Sequence, residues 1–325
     1  MTTHPFALLT PDTVLDAVES LGFVSDARTL TLNSYENRVF QIGIEGAEPL
    51  IAKFYRPERW SDEAILEEHT YSQELAERDI PVIAPMQIDG KTLFEFAGFR
   101  FSLFRRFGGR APELDNPDHL LMLGRLLGRL HAVGAMKPFQ HRPTLSVQRF
   151  GHDSLAFLRE SGVVPKALQP AYYSVADDLM QVIEQRFREH PYQSLRLHGD
   201  LHVGNLLWRD EHLYMVDMDD CLQGPAIQDL WMMLSGERDQ RQAQLSELVD
   251  GYNEFHDFDP RQLPLIESLR SLRLVHYSAW LARRWTDPAF PRHFPWFAQE
   301  RYWADQILTL REQRAALDEP ALRLF

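Results

Sequence analysis

The stretch from Leu195 to Asp217 dictates its own local geometry. Leu195-Arg196-Leu197 reads as a strand that runs into the polar loop His198-Gly199-Asp200-Leu201-His202-Val203-Gly204-Asn205. Two short apolar arms follow, Leu206-Leu207-Trp208 and Leu213-Tyr214-Met215-Val216, joined by the turn Arg209-Asp210-Glu211-His212. Such a pattern predicts a hairpin, and a hairpin here carries Asp217 back beside Asn205 although twelve residues separate them. Any one of these polar residues alone is ordinary turn chemistry. Two carboxylates and an amide gathered by apolar strands form a set of hard oxygen ligands and a proton acceptor.

An Asp, four residues, an Asn and then an Asp on the next strand is the spacing with which protein kinases set a catalytic carboxylate beside magnesium ligands. On that reading Asp200 accepts the hydrogen bond of an incoming hydroxyl and aligns it on the γ-phosphorus. Asn205 offers a neutral oxygen to magnesium, and Asp217 bridges the metal to the phosphates. A second set lies upstream. Leu50-Ile51-Ala52-Lys53-Phe54-Tyr55 is an alternating strand with one lysine in its middle, suited to pair with the α- and β-phosphates. Ser61-Asp62-Glu63 opens a helix with a good N-cap and an acidic first turn, running to about Arg78. Glu68 is preferred over Glu67 as the partner of Lys53, because it lies seven residues before Leu75, two turns along one face. Between Leu30 and Phe40 two short strands flank a polar turn placed to cover phosphates. The turn has no glycine, so Ser34 and nearby backbone amides would do the cradling.

These residues, with Leu32-Asn33-Ser34-Tyr35-Glu36-Asn37-Arg38-Val39, Lys53-Phe54-Tyr55-Arg56-Pro57-Glu58-Arg59-Trp60, Ile65-Leu66-Glu67-Glu68-His69, Gly224-Pro225-Ala226, Gln228-Asp229-Leu230-Trp231, Trp280-Leu281-Ala282-Arg283-Arg284-Trp285 and Asp287-Pro288-Ala289-Phe290-Pro291, resemble the stress response kinase A family. That family comprises bacterial serine/threonine kinases with the aminoglycoside phosphotransferase and choline kinase type of fold. The resemblance extends over almost the whole chain. It implies an ATP- and magnesium-dependent protein kinase with Asp200 and Asp217 in the active site, Asn205 and Asp217 on the metal, and Ser34 touching ATP.

The expected fold class is α+β, a bilobal protein-kinase-like fold. Residues 1–107 form a small antiparallel-sheet N-lobe with the ATP phosphate and lysine site. Residues 108–325 form a larger, mostly helical C-lobe with the catalytic loop and metal site. Thr10-Pro11 and Leu21-Gly22 bracket a first helix; Asp89-Gly90 and Ala97-Gly98 mark hairpins. Arg105-Arg106-Phe107-Gly108-Gly109 reads as a hinge where adenine would rest. Asn116-Pro117 caps a helix to Gly134, on whose apolar stripe His131 is expected to be a packed core residue. Later helices are expected near Pro165, Pro225, Ala243, Leu263 and Phe297.

Composition narrows the partners. A net charge of −13 argues against general nucleic-acid binding. No apolar run approaches the roughly 18 residues of a membrane helix. Met1-Thr2-Thr3-His4-Pro5 has no basic segment followed by an apolar one, so no secretory signal is expected. The single cysteine, Cys221, suits a reducing cytoplasm, and a monomer is expected. His198 and His202 lack a third nitrogen or sulfur ligand at zinc spacing; His198 is expected to brace the loop through hydrogen bonds.

The acceptor is where residues and resemblance pull apart. Asp217 is only twelve residues from Asp229, which leaves no space for the long activation loop, closed by Ala-Pro-Glu, of larger protein kinases. The residues alone favour a small-molecule kinase acting on an amino alcohol or an aminoglycoside-like compound. The resemblance implies a protein substrate with a serine or threonine hydroxyl. A nucleotide-binding pseudokinase or interaction module is a third alternative, against which Lys53, Glu68, Asp200, Asn205 and Asp217 stand together.

Overall fold

The computed structural model describes residues 4–324. Met1, Thr2 and Thr3, the start of the segment expected not to be a secretory signal, lie outside the described residues, as does Phe325. In chain order the elements begin with α1 (Pro11–Glu19), β1 (Ser25–Leu32), β2 (Arg38–Ile44), β3 (Ala47–Phe54), α2 (Asp62–Ala76), β4 (Phe94–Phe96) and β5 (Phe99–Arg105). Next come α3 (Pro117–Gly134), α4 (Asp153–Ser161), α5 (Gln169–Glu189), β6 (Leu195–Leu197), β7 (Leu206–Arg209), β8 (His212–Met215) and β9 (Leu222–Gly224). The chain closes with α6 (Ile227–Trp231), α7 (Arg238–Asn253), α8 (Ile266–Arg284), α9 (Ala289–His293) and α10 (Glu300–Asp318). This is the expected α+β, protein-kinase-like fold.

Two compact units emerge. The first takes the chain through Pro112 together with Phe139–Arg142 and His202–Cys221. The second takes Glu113–Pro138, Pro143–Leu201 and the chain from Leu222 onward. The units are interleaved along the sequence.

In the first unit β1–β5 form an antiparallel sheet in the order β1-β2-β3-β5-β4. Alternation along β3 and β5 sends Ala52, Phe54, Phe101 and Leu103 into a core with Val14, Ala17 and Val18 of α1. Phe54 and Phe101 stack at 5.2 Å, and each fully buried phenylalanine contributes about 1.5–3 kcal/mol. Thr10 caps α1 by accepting from the Thr13 amide, with Pro11 in the first turn. Ala97 and Gly98 both take positive φ, 49° and 81°, as the tight β4–β5 turn requires. Asp89-Gly90 makes a smaller turn that closes only the bridge between Ile88 and Lys91.

In the second unit α4, α5, α8 and α10 enclose a core that includes Leu158, Tyr172, Leu179, Val275, Phe290 and Trp303. A separate helix pair, α3 and α7, packs backbone to backbone. A Cβ on Gly124 would strike the Leu248 carbonyl, and one on Gly251 would strike that of Leu121. Asn116 caps α3 as expected. The α7 helix starts at Arg238, five residues before Ala243, because Glu237 and Gln240 make a reciprocal capping box.

Candidate active site

Lys53 stands mid-strand on β3, paired in register with Val39 on one side and Ser102 on the other. Its side chain is buried, and its Nζ lies 2.9 Å from Asp217 Oδ1, 3.2 Å from Asp219 Oδ1 and 3.8 Å from Glu68 Oε1. Burial works against the ammonium, but Asp217, Asp219 and Glu68 together lift its pKa well above the ordinary lysine value. The structure therefore places Glu68 on the lysine side of α2. Glu67 points elsewhere and accepts the backbone amides of Gln140, His141 and Arg142 at 2.6, 2.7 and 2.8 Å. Burial raises the Glu68 carboxyl to about 7, against the pull of Lys53.

The predicted hairpin forms. Leu206 pairs with Met215 and Arg209 with His212, and Asp210 and Glu211 supply the positive φ of the turn, 50° and 62°. One residue past β8 the Val216 amide donates to the Asn205 carbonyl at 3.1 Å, which sets Asp217 beside the Asn205 backbone. Asp217 takes left-handed backbone angles, φ 60° and ψ 66°, a sparsely populated region for a residue with a side chain. Its side chain is 51% exposed, in contrast to the 4% of Asp219. The amide oxygen of Asn205 and the half-exposed carboxylate of Asp217 are hard donors of the kind magnesium takes one or two at a time, leaving its other positions to water and phosphate. Among the described residues no three His, Cys, Asp or Glu side chains converge to cage an ion.

Asp219 and its cations are the part that the sequence did not disclose. Standing just past the strand's end, Asp219 and Asp220 would by sequence alone simply bind backbone groups in the turn. Instead the Asp219 carboxylate is buried against Arg59 and Lys53, and Asn37 Nδ2 donates to it at 3.1 Å. Asp220 takes the other arm of Arg59 at 2.5 Å. Burial opposes ionisation of Asp219, but Arg59, Lys53 and Arg142 hold its carboxyl well below the usual range. Asn37 Oδ1 also accepts the Arg56 amide at 3.0 Å, so the loop between β1 and β2, where Ser34 sits half-buried, is pinned by Asn37. Arg142 lies 4.0 Å above the Trp60 ring and donates to the carbonyls of Asp219 and Cys221. The hint was present in Arg56-Pro57-Glu58-Arg59, two arginines after an apolar strand that need acidic partners once buried.

Asp200 belongs to the second unit, just past β6, where Leu197 pairs with Leu222 of β9. Ahead of it the loop is fixed by one carboxylate, that of Asp229. Asp229 Oδ2 accepts the His198 amide at 2.8 Å and His131 Nε2 at 3.1 Å, and Oδ1 accepts the Gly199 amide at 2.8 Å. His131, buried as expected, reaches Tyr252 Oη with its other nitrogen at 3.0 Å. Burial opposes ionisation of Asp229, yet the His131 hydrogen bond and the Gly199 amide keep its carboxyl below the ordinary value. Gln228 Nε2 donates to the Gly199 carbonyl at 2.9 Å. Gly199 has φ 86°, which a side chain rarely adopts. Asp200 itself accepts a hydrogen bond from Arg273 of α8. Both are partly exposed, at 28% and 42%.

A model of the phosphotransferase enzyme family matches residues 29–266. Over 319 residues, 98% of this chain and 97% of theirs, the sequence is 44% identical to "Stress response kinase A" of Escherichia coli strain K12 and of Shigella flexneri. It is 43% identical, over the same shares, to "Serine/threonine protein kinase RdoA" of Salmonella typhimurium. Among solved structures, an amicoumacin kinase in complex with AMP-PNP, Ca2+ and its ligand superposes with a TM-score of 0.70 at 20% identity, over 95% of this chain and 94% of that one. A microcompartment-associated aminopropanol kinase superposes with a TM-score of 0.71 at 18% identity, over 95% and 99%.

Proposed function

The chain belongs to the stress response kinase A family of phosphotransferases, and from that premise we propose that it is an ATP- and magnesium-dependent serine/threonine protein kinase. The observation that carries the reading is the buried Lys53 held by Asp217 and Glu68. A lysine so fixed, beside a half-exposed carboxylate, is suited to a polyphosphate and its metal. Lys53 would meet the α- and β-phosphates, with Glu68 keeping its direction, and the Ser34 loop would cover the phosphates. Adenine would rest at the Arg105–Gly109 hinge, where Phe107 packs on Tyr214 at 4.3 Å. Asn205 and Asp217 would hold magnesium, whose charge offsets that developing on the transferring phosphoryl group. Asp200 aligns the acceptor hydroxyl and takes its proton as the new oxygen–phosphorus bond forms and the bond to the leaving ADP breaks.

A small-molecule kinase is the second reading. It is favoured by the short connection from Asp217 to Asp229, with only β9 and a turn between them, and by the small-molecule acceptors, amicoumacin and aminopropanol, in the names of the fold neighbours. Mass spectrometry after incubation with MgATP decides between them. A serine- or threonine-phosphorylated protein is the expected product; phosphate found only on members of an amino alcohol and sugar panel overturns the protein-kinase reading. No helix among the described residues is long and apolar enough to cross a membrane. A cytoplasmic, monomeric enzyme is proposed, with Cys221 buried and serving only in packing.

A further inference from the structure

In the second unit α5, α7, α8 and α10, with residues 319–322 beyond α10, border a cavity of about 350 Å³. That is room for a small metabolite. Four arginines line it, Arg186, Arg238, Arg241 and Arg270, against the carboxylates of Glu267, Glu312 and Glu319. Cations are thus in excess here, in a chain whose net charge is −13.

Two of the arginines serve the chain itself. Arg186 donates to the Leu317 carbonyl, and Arg238 Nη2 donates to that of Ala321 at 2.8 Å, with Glu319 3.9 Å from Arg238. They fasten the end of α10 and the segment after it, where Leu322 is buried. The other two are placed differently. Arg241 Nη1 and Arg270 Nε donate to opposite oxygens of one carboxylate, Glu267, each at 3.1 Å. One negative charge therefore answers two positive ones. Glu312, the remaining carboxylate, is exposed on α10. Arg241 Nε and Arg270 Nη2 are buried, yet neither has an acceptor among the described residues. Buried donors as a rule have one. Arg270 also lies 4.9 Å over the Trp231 ring, a stacking that holds the guanidinium plane and leaves its edge for hydrogen bonds.

We propose that this cavity binds a phosphate group, as the free ion or as the ester of a small molecule, with Arg241 and Arg270 as its principal donors. A phosphate group carries close to two negative charges at neutral pH, which answers the surplus that Glu267 leaves. Its oxygens diverge tetrahedrally and can accept from guanidinium groups on two helices at once, where a carboxylate offers a single plane. Leu263, Ile266 and Leu322 on the same wall suit a short organic remainder. The cavity's residues all belong to the second unit and Lys53 belongs to the first, so this site is separate from the lysine that would meet ATP.

Isothermal titration of the full chain with sodium phosphate and with glycerol 3-phosphate, against sodium chloride at matched ionic strength, tests this. At least one of the two is expected to saturate a single site with a Kd of about 1 mM or tighter. Tighter binding of phosphate marks the free ion as the ligand, and tighter binding of glycerol 3-phosphate marks an ester. Arg241→Gln and Arg270→Gln should each weaken binding by about tenfold or more, and Lys53→Met should leave it within about twofold. The bound compound should also raise the melting temperature of wild type by mass action, and hardly move that of the arginine variants. If Arg270→Gln fails to fold for want of its stacking on Trp231, Arg241→Gln, which gives up only the Glu267 contact, decides. No saturable binding of either compound, or binding undiminished in folded Arg241→Gln, overturns the inference. Binding lost in Lys53→Met overturns it as well, by assigning the phosphate to the lysine of the first unit.

Discussion

Around Lys53 in the first unit, side chains bring full charges out of water and neutralise one another. Ahead of Asp200 in the second unit, a single buried carboxylate holds a loop by its backbone amides. On the proposed reading the two solutions follow from what each region would present. A polyphosphate needs a fixed cation, and a buried cation is tolerable only when several carboxylates surround it; Lys53 has three within 4 Å. A hydroxyl needs a carboxylate that is oriented but still open to an incoming group. Asp229 supplies the orientation from below, through the His198 and Gly199 amides, and Asp200 stays partly exposed. Rigidity sits in the charges themselves in one case and one residue away from the Asp200 carboxylate in the other.

The strongest way to break this contrast is Asp217→Ala. Its carboxylate is half exposed, and Lys53 keeps Asp219 and Glu68 as partners without it. The variant is expected to keep its fold and lose phosphate transfer entirely, because on the proposed reading magnesium would lose its charged ligand. A thermal melt beside a phosphate-incorporation assay checks both halves; full activity in the folded variant would remove Asp217 from the site.

Asp200→Asn comes next. Asparagine preserves the shape but cannot take a proton, so transfer should fall by about 10²–10⁴, while MgATP affinity stays within a few-fold. Nucleotide titration on the same sample is the discriminating measurement. Lost nucleotide binding with retained chemistry would mean that Asp200 and Asp217 have exchanged roles.

The third effect is on stability. Asp229→Ala leaves the His198 amide, the Gly199 amide and His131 Nε2 without their acceptor in a fully buried place. Each orphaned donor costs about 1–3 kcal/mol, so denaturant unfolding should show a loss of about 3 kcal/mol or more. A loss below about 1 kcal/mol would show that the loop is held by other means.

Local order was the legible part of this chain. The hairpin of β7 and β8 could be read because its apolar arms and polar turn are consecutive, and Glu68 could be chosen over Glu67 because helical phase is a matter of counting. Caps at Thr10, Ser61 and Asn116 were equally local. Asp219 was misread for the opposite reason. Its partners Arg59 and Asn37 lie 160 and 182 residues away, and spacing along the chain carries no information about such pairs. Asp229 entered the sequence reading only as the end of a short connection from Asp217, since nothing local says that its carboxylate turns back to amides thirty residues earlier. Arg273 had no signal at all.

The smallest effect tests whether the charged region behaves as a unit when protons are added. His69, next to Glu68 on α2, is buried between Tyr55 Oη at 2.7 Å and the Thr92 hydroxyl at 2.9 Å. Burial, then the charge of Lys53, lowers it from 6.5 to about 3. The unfolded chain therefore binds one more proton than the native state between those values, and stability from this group is complete above 6.5 and lost as pH falls toward 3. Glu68 has the opposite sign. Raised from 4.5 to about 7, it binds its proton more readily in the native state, so its contribution is complete below 4.5 and lost as pH rises toward 7. Between 4.5 and 6.5 the two neighbours offset each other. His69→Gln removes one of them, and the stability difference between wild type and variant should then slope by up to about 1.4 kcal/mol per pH unit between pH 3 and 6.5, rising with pH. In the variant the Glu68 slope stands uncovered, so its stability should fall as pH rises from 4.5 to 6.5 relative to wild type. Urea midpoints taken across this range measure the slope. Parallel curves for the two proteins would mean that His69 titrates alike in the folded and unfolded chains, and that the charges around Lys53 reach less far along α2 than the burial of its neighbour implies.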